Sequence, residues 1–264
     1  MKTTAFLLLL AALFAPLAAG AAQLSDGEIP VATVAVPVGA TPETSADPNI
    51  DRAFILPTAM TQPSGSATYN NYELLLHGFT YGVTDRIQTT VTVLAPIVRD
   101  MPFVGIAAAK WQFLSTPRFH LALQASAGLG VSFTNANDAS GYTVGAGAFA
   151  TVCLREDCSS IASASATYQL AFAGSGGDGQ VLIYGASIVH SVSSHVKLLA
   201  ELTSLATRDV AGTGFDAAPG ALASYGLRLH NANIASDIGF VKPVGSDNTF
   251  LLGLPFVSVS YRWQ

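Results

Sequence analysis

Bulky apolar residues occupy every second position over long stretches of this chain. From Phe119 to Val131, every bulky apolar side chain falls at an odd position, and polar or small residues fill the even positions. A spacing of two places successive side chains on opposite faces of a β-strand. The same alternation recurs at residues 86–93, 162–170, 196–202, 225–230 and 257–263. The pattern predicts strands with one apolar face and one face of mostly Ser, Thr, Gln and Gly.

Two kinds of connection separate these strands. Tight polar connections fall at residues 83–86, 115–118, 154–157, 191–195 and 230–233, and longer ones fall at 61–65, 96–102, 134–141, 173–179, 207–220 and 243–248. Twelve strands then fit between Ala53 and Gln264. Short turns at one end and longer loops at the other are typical of transmembrane barrels. We therefore predict an all-β, antiparallel up-and-down transmembrane β-barrel, closed because lipid offers no partner to unpaired backbone groups.

The composition agrees with a chain that faces lipid. There are 12 Lys and Arg and 17 Asp and Glu, so charged residues form 11% of the 264 residues, against about 25% in a typical soluble domain. Half of the residues are hydrophobic and the mean hydropathy is +0.43, which excludes a disordered chain. After residue 22 no run of 18 apolar residues remains, which excludes membrane-spanning helices. The net charge of -5, without a basic cluster, excludes nucleic acid as a partner.

The chain divides into three predicted parts. Residues 1–22 have the basic start, apolar run and small-residue cleavage region of a secretory signal peptide, with a retained membrane anchor as the alternative. Residues 23–52 are rich in Pro, Ala, Thr and acidic residues and predict an extended periplasmic segment. The outer-membrane barrel follows at residues 53–264.

One short motif precedes the predicted barrel. Asp47, Asn49 and Asp51 have the opening spacing of a calcium loop, but Arg52 stands where such a loop needs glycine. We therefore interpret this stretch as a solvated linker and predict no metal site.

Both ends of the predicted barrel resemble known proteins. The final run, Val257-Ser258-Val259-Ser260-Tyr261-Arg262-Trp263, resembles the last strand that the barrel-assembly machinery recognises in Gram-negative outer-membrane barrels, although Gln264 follows the aromatic residue. The stretches Phe54–Ala59, Tyr72–Leu75 and Tyr81–Arg86 are similar to the opening strands of the phenol meta-pathway-like or transporter-like barrel family. This resemblance implies an outer-membrane location, the assembly machinery as a partner, and passage of small molecules. It supplies no site residue.

Cys153 and Cys158 flank a four-residue turn, where paired strands would hold them within reach of a disulfide. Export to an oxidising compartment favours that bond. A redox-active pair or two reduced neighbours are the alternatives. The spacing, without a nearby histidine or second cysteine pair in the sequence, argues against a zinc site.

Strand parity directs a set of polar side chains into the barrel. Charged side chains facing lipid would cost about 2 to 4 kcal/mol each at mid-depth, so their shared parity points inward. The predicted lumen-lining residues are Glu73, His77, Arg86, Lys110, His120, Gln124, Lys197, Glu201, Arg228, Asp237 and Arg262. These residues either neutralise one another and pack a narrow interior, or line a passage and set its selectivity.

The sequence favours a passive channel or transporter for small solutes, surrounded by outer-membrane lipid. We predict no cofactor and no catalytic residue, because none of the five histidines lies in a distinctive nucleophile motif. The alternatives are a non-transporting structural or adhesive barrel, a barrel enzyme such as a lipase and, outside the membrane, a secreted β-sandwich.

Overall fold

The computed structural model describes residues 47–73, 75–94, 103–131, 140–173, 179–209, 216–244 and 252–263. Twelve antiparallel strands form a closed barrel in which each strand pairs with its neighbours in the chain and β1 pairs with β12. The strands are β1 (Ala67–Tyr72), β2 (Leu76–Thr84), β3 (Ile87–Leu94), β4 (Phe103–Ser115), β5 (Phe119–Val131), β6 (Ser140–Cys153), β7 (Ile161–Ala173), β8 (Gly179–Ser191), β9 (Val196–Asp209), β10 (Asp216–His230), β11 (Ile234–Val244) and β12 (Leu254–Trp263). Within these ranges, no helix has the length and apolar character needed to cross a membrane. The predicted all-β up-and-down barrel is confirmed.

The two faces of each strand differ as the alternation predicts. Large apolar side chains point outward and are exposed, among them Trp111 at 53%, Leu123 at 47% and Ile188 at 51%. Their neighbours in the sequence point inward and are mostly polar and buried, as Lys110 and Ser187 are. This apolar outer surface is the architecture of an outer-membrane barrel, because only lipid covers such a surface favourably.

The connections distinguish the two ends of the barrel. Short connections at residues 85–86, 116–118, 154–160, 192–195 and 231–233 lie at one end, which we call the short-turn end. The start of β1 and the end of β12 also lie there. At the opposite, outer end, the β1–β2 connection is a tight turn, and most of the predicted longer loops fall outside the described residues.

The first two strands begin later than predicted. Phe54–Ala59 is not a strand, and the predicted second strand is instead two strands, β1 and β2, joined by a turn. Glu73 makes that turn with a backbone φ of 53°, in a region where most non-glycine residues are disfavoured. The predicted strand count is retained because one predicted strand is lost and another is divided.

Residues 47–66, which we call the luminal segment, lie inside the barrel. The segment enters at the short-turn end and reverses direction at Ala53–Leu56, where the Ala53 N–H donates to the Leu56 carbonyl over 2.8 Å. It returns to the short-turn end, where Thr61 Oγ1 donates to the Asp85 carbonyl over 2.7 Å. The interpretation of Asp47–Asp51 as a solvated linker is therefore wrong: Asp47 is 2% exposed and Asn49 is fully buried. The signal peptide and the rest of the predicted periplasmic segment, residues 1–46, fall outside the described residues.

Apolar contacts hold the luminal segment as well as polar ones. Phe54 is fully buried and packs on Phe256, with ring centroids 4.7 Å apart. A Cβ built on Gly239 would lie 2.9 Å from the Phe54 ring, so glycine leaves the space that this ring fills. On the returning arm, Ala59 packs with the inward-facing Ala122 and Phe149. The barrel therefore has a core inside its lumen, built around its own preceding segment.

Candidate functional site

Arg228 is the centre of an ion-pair network that joins the luminal segment to the wall. Its Nε lies 2.6 Å from Asp237 Oδ1 on the neighbouring strand, and its Nη1 lies 3.2 Å from Asp47 Oδ2. Lys197 Nζ lies 2.7 Å from the same Asp47 oxygen, and Arg52 Nη1 lies 3.4 Å from Asp237 Oδ2. All five side chains are at least 90% buried. Buried charges persist only when they are paired, so this network fixes the position of the segment.

The Asp47 carboxyl is ionised inside this network. Burial alone would raise its pKa, but the opposing charges of Arg228 and then Lys197 outweigh burial, and the pKa lies well below its ordinary value. Asp47 belongs to the luminal segment and not to a strand, so it can pair with Arg228 and Lys197 only while the segment lies in the lumen.

Glu201 binds the tip of the luminal segment through its carboxylate. The backbone N–H groups of Phe54, Ile55 and Leu56 all donate to Glu201 Oε2, at 3.0 to 3.1 Å. Three backbone donors that would otherwise be unpaired are thereby satisfied by one side chain. On the opposite wall, Lys110 Nζ donates to the carbonyls of Asp51 and Thr58 over 3.3 and 3.0 Å.

A cavity of about 190 Å³, lined mostly by polar residues, lies between the luminal segment and the barrel wall. Asp51, Arg52 and Lys110 form its floor. Its walls come from β1 to β5, and we call it the outer vestibule. The polar wall residues are Asn70, Thr80, Gln88, Thr90, Thr92 and Gln124.

The structure places eight of the eleven predicted lumen-lining residues inside the barrel. Seven of them are buried: Lys110, His120, Lys197, Glu201, Arg228, Asp237 and Arg262. Gln124 lines the outer vestibule.

The remaining three lie elsewhere, and their predicted positions are wrong. Glu73 and Arg86 are exposed in the turns that end β1 and β2. His77 shares its parity with the outward-facing Phe79, so it lies on the lipid-facing surface. The parity assignment failed for Glu73 and His77 because the β1–β2 turn was not predicted, and for Arg86 because β3 begins one residue later than predicted, at Ile87.

His77 forms a polar cluster on the outer surface of β1 and β2, near the outer end. Its Nδ1 lies 2.7 Å from the Tyr69 hydroxyl and 3.1 Å from Asn71 Nδ2. Tyr69 is 39% exposed. The adjacent outward positions on the neighbouring strands are Val93 and Val259. A histidine and a phenol thus lie within an otherwise apolar, membrane-facing surface.

Cys153 and Cys158 are joined by a disulfide at the short-turn end. His120 Nε2 lies 3.5 Å from the Cys153 sulfur, while Gln112 and Ser115 contact His120 Nδ1. The nitrogen and two sulfur atoms lie within 4.8 Å of one another, the spacing of a metal-ligand group. Sulfurs bonded to each other offer no thiolate, so the group as it stands is structural.

Two other histidines contact hydroxyl groups. His190 lies 3.2 Å from Ser160 Oγ, and His195 lies 2.8 Å from Ser194 Oγ. Ser160 is fully buried. Within the described part of the chain, none of these pairs, nor the His77 and His120 groups, has a hydrogen-bonded carboxylate as a third member.

Comparison with known proteins gives structural matches but no family. No family model matches the chain, and no curated protein matches it. Among solved structures, LpxR from Salmonella typhimurium is similar with a TM-score of 0.43 and 9% identity, covering 75% of this chain and 98% of that chain. The resemblance to the phenol meta-pathway-like family is therefore not confirmed.

The prediction of a passive, non-enzymatic channel is wrong. The physical reason lies in the lumen itself, because the luminal segment occupies the space that a passage would need. Of the two possibilities for the inward charges, the structure shows them neutralising one another and packing the interior.

Proposed function

We propose that this chain is a sealed outer-membrane barrel that carries no solute through its lumen. The observation that carries the proposal is the luminal segment, which Arg228, Lys197 and Glu201 attach to the wall through charged hydrogen bonds. The proposal includes an exported precursor, surrounding outer-membrane lipid, and recognition of the last strand by the barrel-assembly machinery. The surfaces of the barrel that remain available for a function are then the lipid-facing outer surface and the outer vestibule.

Planar-bilayer recording tests this proposal. The full chain, inserted and shown to be folded by heat-modifiable gel migration, should give no steady conductance at moderate voltage. Steady, ohmic current that scales with the number of inserted molecules would contradict a sealed lumen.

A second candidate function is chemistry on membrane lipid, and the Tyr69–His77 cluster favours it. A histidine bonded to a phenol can act as a general base toward a bound water. The water oxygen then attacks the ester carbonyl carbon, the ester C–O bond breaks, and the lipid alcohol leaves with the proton that the imidazole took up, so that a free fatty acid is released. The cluster lies on the surface that lipid covers, so an acyl ester could reach it without entering the lumen.

Acyl release distinguishes this candidate from an inert surface. The folded barrel is incubated with phospholipid and with lipopolysaccharide, and free fatty acids are measured by mass spectrometry. Release should be lost in His77→Gln and retained in the matched control His195→Gln, whose ring lies in an exposed turn. Equal release from both variants would exclude the cluster as the site.

A further inference from the structure

We propose that the outer vestibule is a binding site for a neutral, hydroxyl-rich molecule of about monosaccharide size. Its volume of about 190 Å³ is about six times the volume that one water molecule occupies in the liquid. A sugar ring with its hydroxyl groups can replace a cluster of waters in such a space and keep their hydrogen bonds.

The walls favour hydroxyl groups because they both donate and accept. Thr80, Thr90 and Thr92 present hydroxyls from two adjacent strands, and Thr80 Oγ1 lies 3.1 Å from Thr90 Oγ1. Gln124 and Asn70 add amides on either side of these threonines. A ligand that only accepts, or only donates, would leave part of this lining unmatched.

The floor favours a neutral ligand because each of its charged groups already has partners within the protein. Arg52 pairs with Asp237 beneath it and lies over the Tyr72 ring, 4.6 Å from the centroid. The Asp51 carboxylate accepts hydrogen bonds from the Gln62 and Gln88 amides. Lys110 Nζ donates to the carbonyls of Asp51 and Thr58. A charged ligand would leave one charge without a partner in a partly desolvated site.

The apolar residues of the vestibule fit the carbon face of a sugar. Tyr72, Pro57 and Ile106 line the same cavity as the threonines. Binding sites for small molecules commonly combine such apolar contacts with a few polar groups that fix orientation. Because the luminal segment closes the vestibule from below, the ligand would enter from the outer end and leave by the same route; this step rests on the proposed sealed lumen.

Binding to the full chain in lipid nanodiscs tests the proposal, with glucose, gluconate and glucosamine as neutral, anionic and cationic probes. Glucose should bind, as measured by saturation-transfer NMR and calorimetry, and the two charged analogues should bind at least about tenfold more weakly. Ala108→Met fills the vestibule and should abolish binding, whereas Ala107→Met, at the adjacent outward position, should leave it unchanged. Absence of glucose binding, or equal binding by the two variants, would overturn the proposal, as would a preference for either charged probe.

A second pair of variants tests the hydroxyl lining without filling space. Thr92→Val should weaken glucose binding about three- to tenfold, as expected for one neutral hydrogen bond, while the outward-facing Thr89→Val should not. Unchanged binding by Thr92→Val would contradict the assigned lining.

Nanodiscs that contain a glucosyl lipid distinguish a lipid headgroup from free sugar as the source. The lipid should compete with glucose if the headgroup reaches the vestibule, and free sugar is the ligand if it does not. A conducting chain that still binds glucose would refute the sealed lumen and leave this site standing.

Discussion

Removing the Arg228 guanidinium should release the luminal segment from the barrel wall. In Arg228→Met the side chain keeps much of its volume, but Asp47 and Asp237 lose their shared cation. Breaking a buried ion pair costs about 3 to 5 kcal/mol. Asp47 keeps Lys197 and Asp237 keeps Arg52, so we expect the lower value, about 3 kcal/mol. That corresponds to roughly a hundredfold increase in the population of the undocked segment.

Thiol labelling measures that population directly. Ala59 is fully buried in the luminal segment, and among the described residues both native cysteines are disulfide-bonded. A cysteine introduced as Ala59→Cys is therefore the reactive thiol for a maleimide that cannot cross the barrel wall. Its labelling rate should rise roughly a hundredfold when Arg228→Met is added.

The matched control removes a different arginine of the same barrel. Arg118 pairs with Glu156, but the two side chains are 67% and 87% exposed, and exposed pairs contribute little. Arg118→Met should leave the labelling rate of Ala59→Cys unchanged. If Arg228→Met labels no faster than this control, the ion-pair network does not hold the segment.

Three further predictions concern the same interior. Docking of the luminal segment lowers the Asp47 pKa below its ordinary 3.8, so the carboxyl stabilises the docked segment fully above that pH and progressively less as the pH falls below it. Bilayer recordings should therefore stay silent from pH 7 to 5 and first show openings below about pH 4. Phe54→Ala removes a fully buried ring and should cost about 3 to 5 kcal/mol of docking, with faster labelling of Ala59→Cys as the readout; unchanged labelling would show that this ring does not hold the segment. The Cys153–Cys158 disulfide closes a short loop and contributes about 2 kcal/mol to stability. Heat-modifiable migration should therefore persist when both cysteines are replaced by serine, and loss of assembly would show a larger role for the disulfide.

The wall of the barrel follows from local rules that a sequence displays. Alternation fixes which side chains share a face, and it places Lys110, Glu201 and Arg228 inside the barrel as predicted. The connection at Asn231–Asn233 has the polar residues that tight turns prefer, so its strands could be placed closely. Parity is reliable only where the turns are known, however. Glu73 adopts positive φ without being Gly, Asn or Asp, so its turn gave no compositional signal.

The luminal segment was missed because its apolar residues resemble a strand. Phe54–Ala59 is as hydrophobic as the true strands. This stretch contacts the inner wall instead of pairing with a neighbouring strand, and those contacts are made by residues distant in the sequence. One signal was present. Phe149, Ile161, Val189 and Leu199 have inward parity yet are apolar, and all are at most 5% exposed. A water-filled passage would not favour such residues, whereas a segment packed inside the barrel does.

Charge offers a second signal of the same kind. Among the strand residues whose burial the structure describes, the buried positions carry four cations, Lys110, Lys197, Arg228 and Arg262, and two anions, Glu201 and Asp237. An interior with this imbalance needs acidic partners from another part of the chain. Asp47 and Asp51 supply them from the luminal segment, next to Arg52.

Hydrogen exchange of residues 47–66, followed by mass spectrometry on the folded barrel in nanodiscs, tests the occupied lumen most directly. The N–H groups of Ala53, Phe54, Thr58 and Ala59 all donate to carbonyl or side-chain oxygens, so peptides covering them should exchange over hours, as strand peptides do. Complete exchange within seconds, while the strands remain protected, would contradict a segment held inside the barrel.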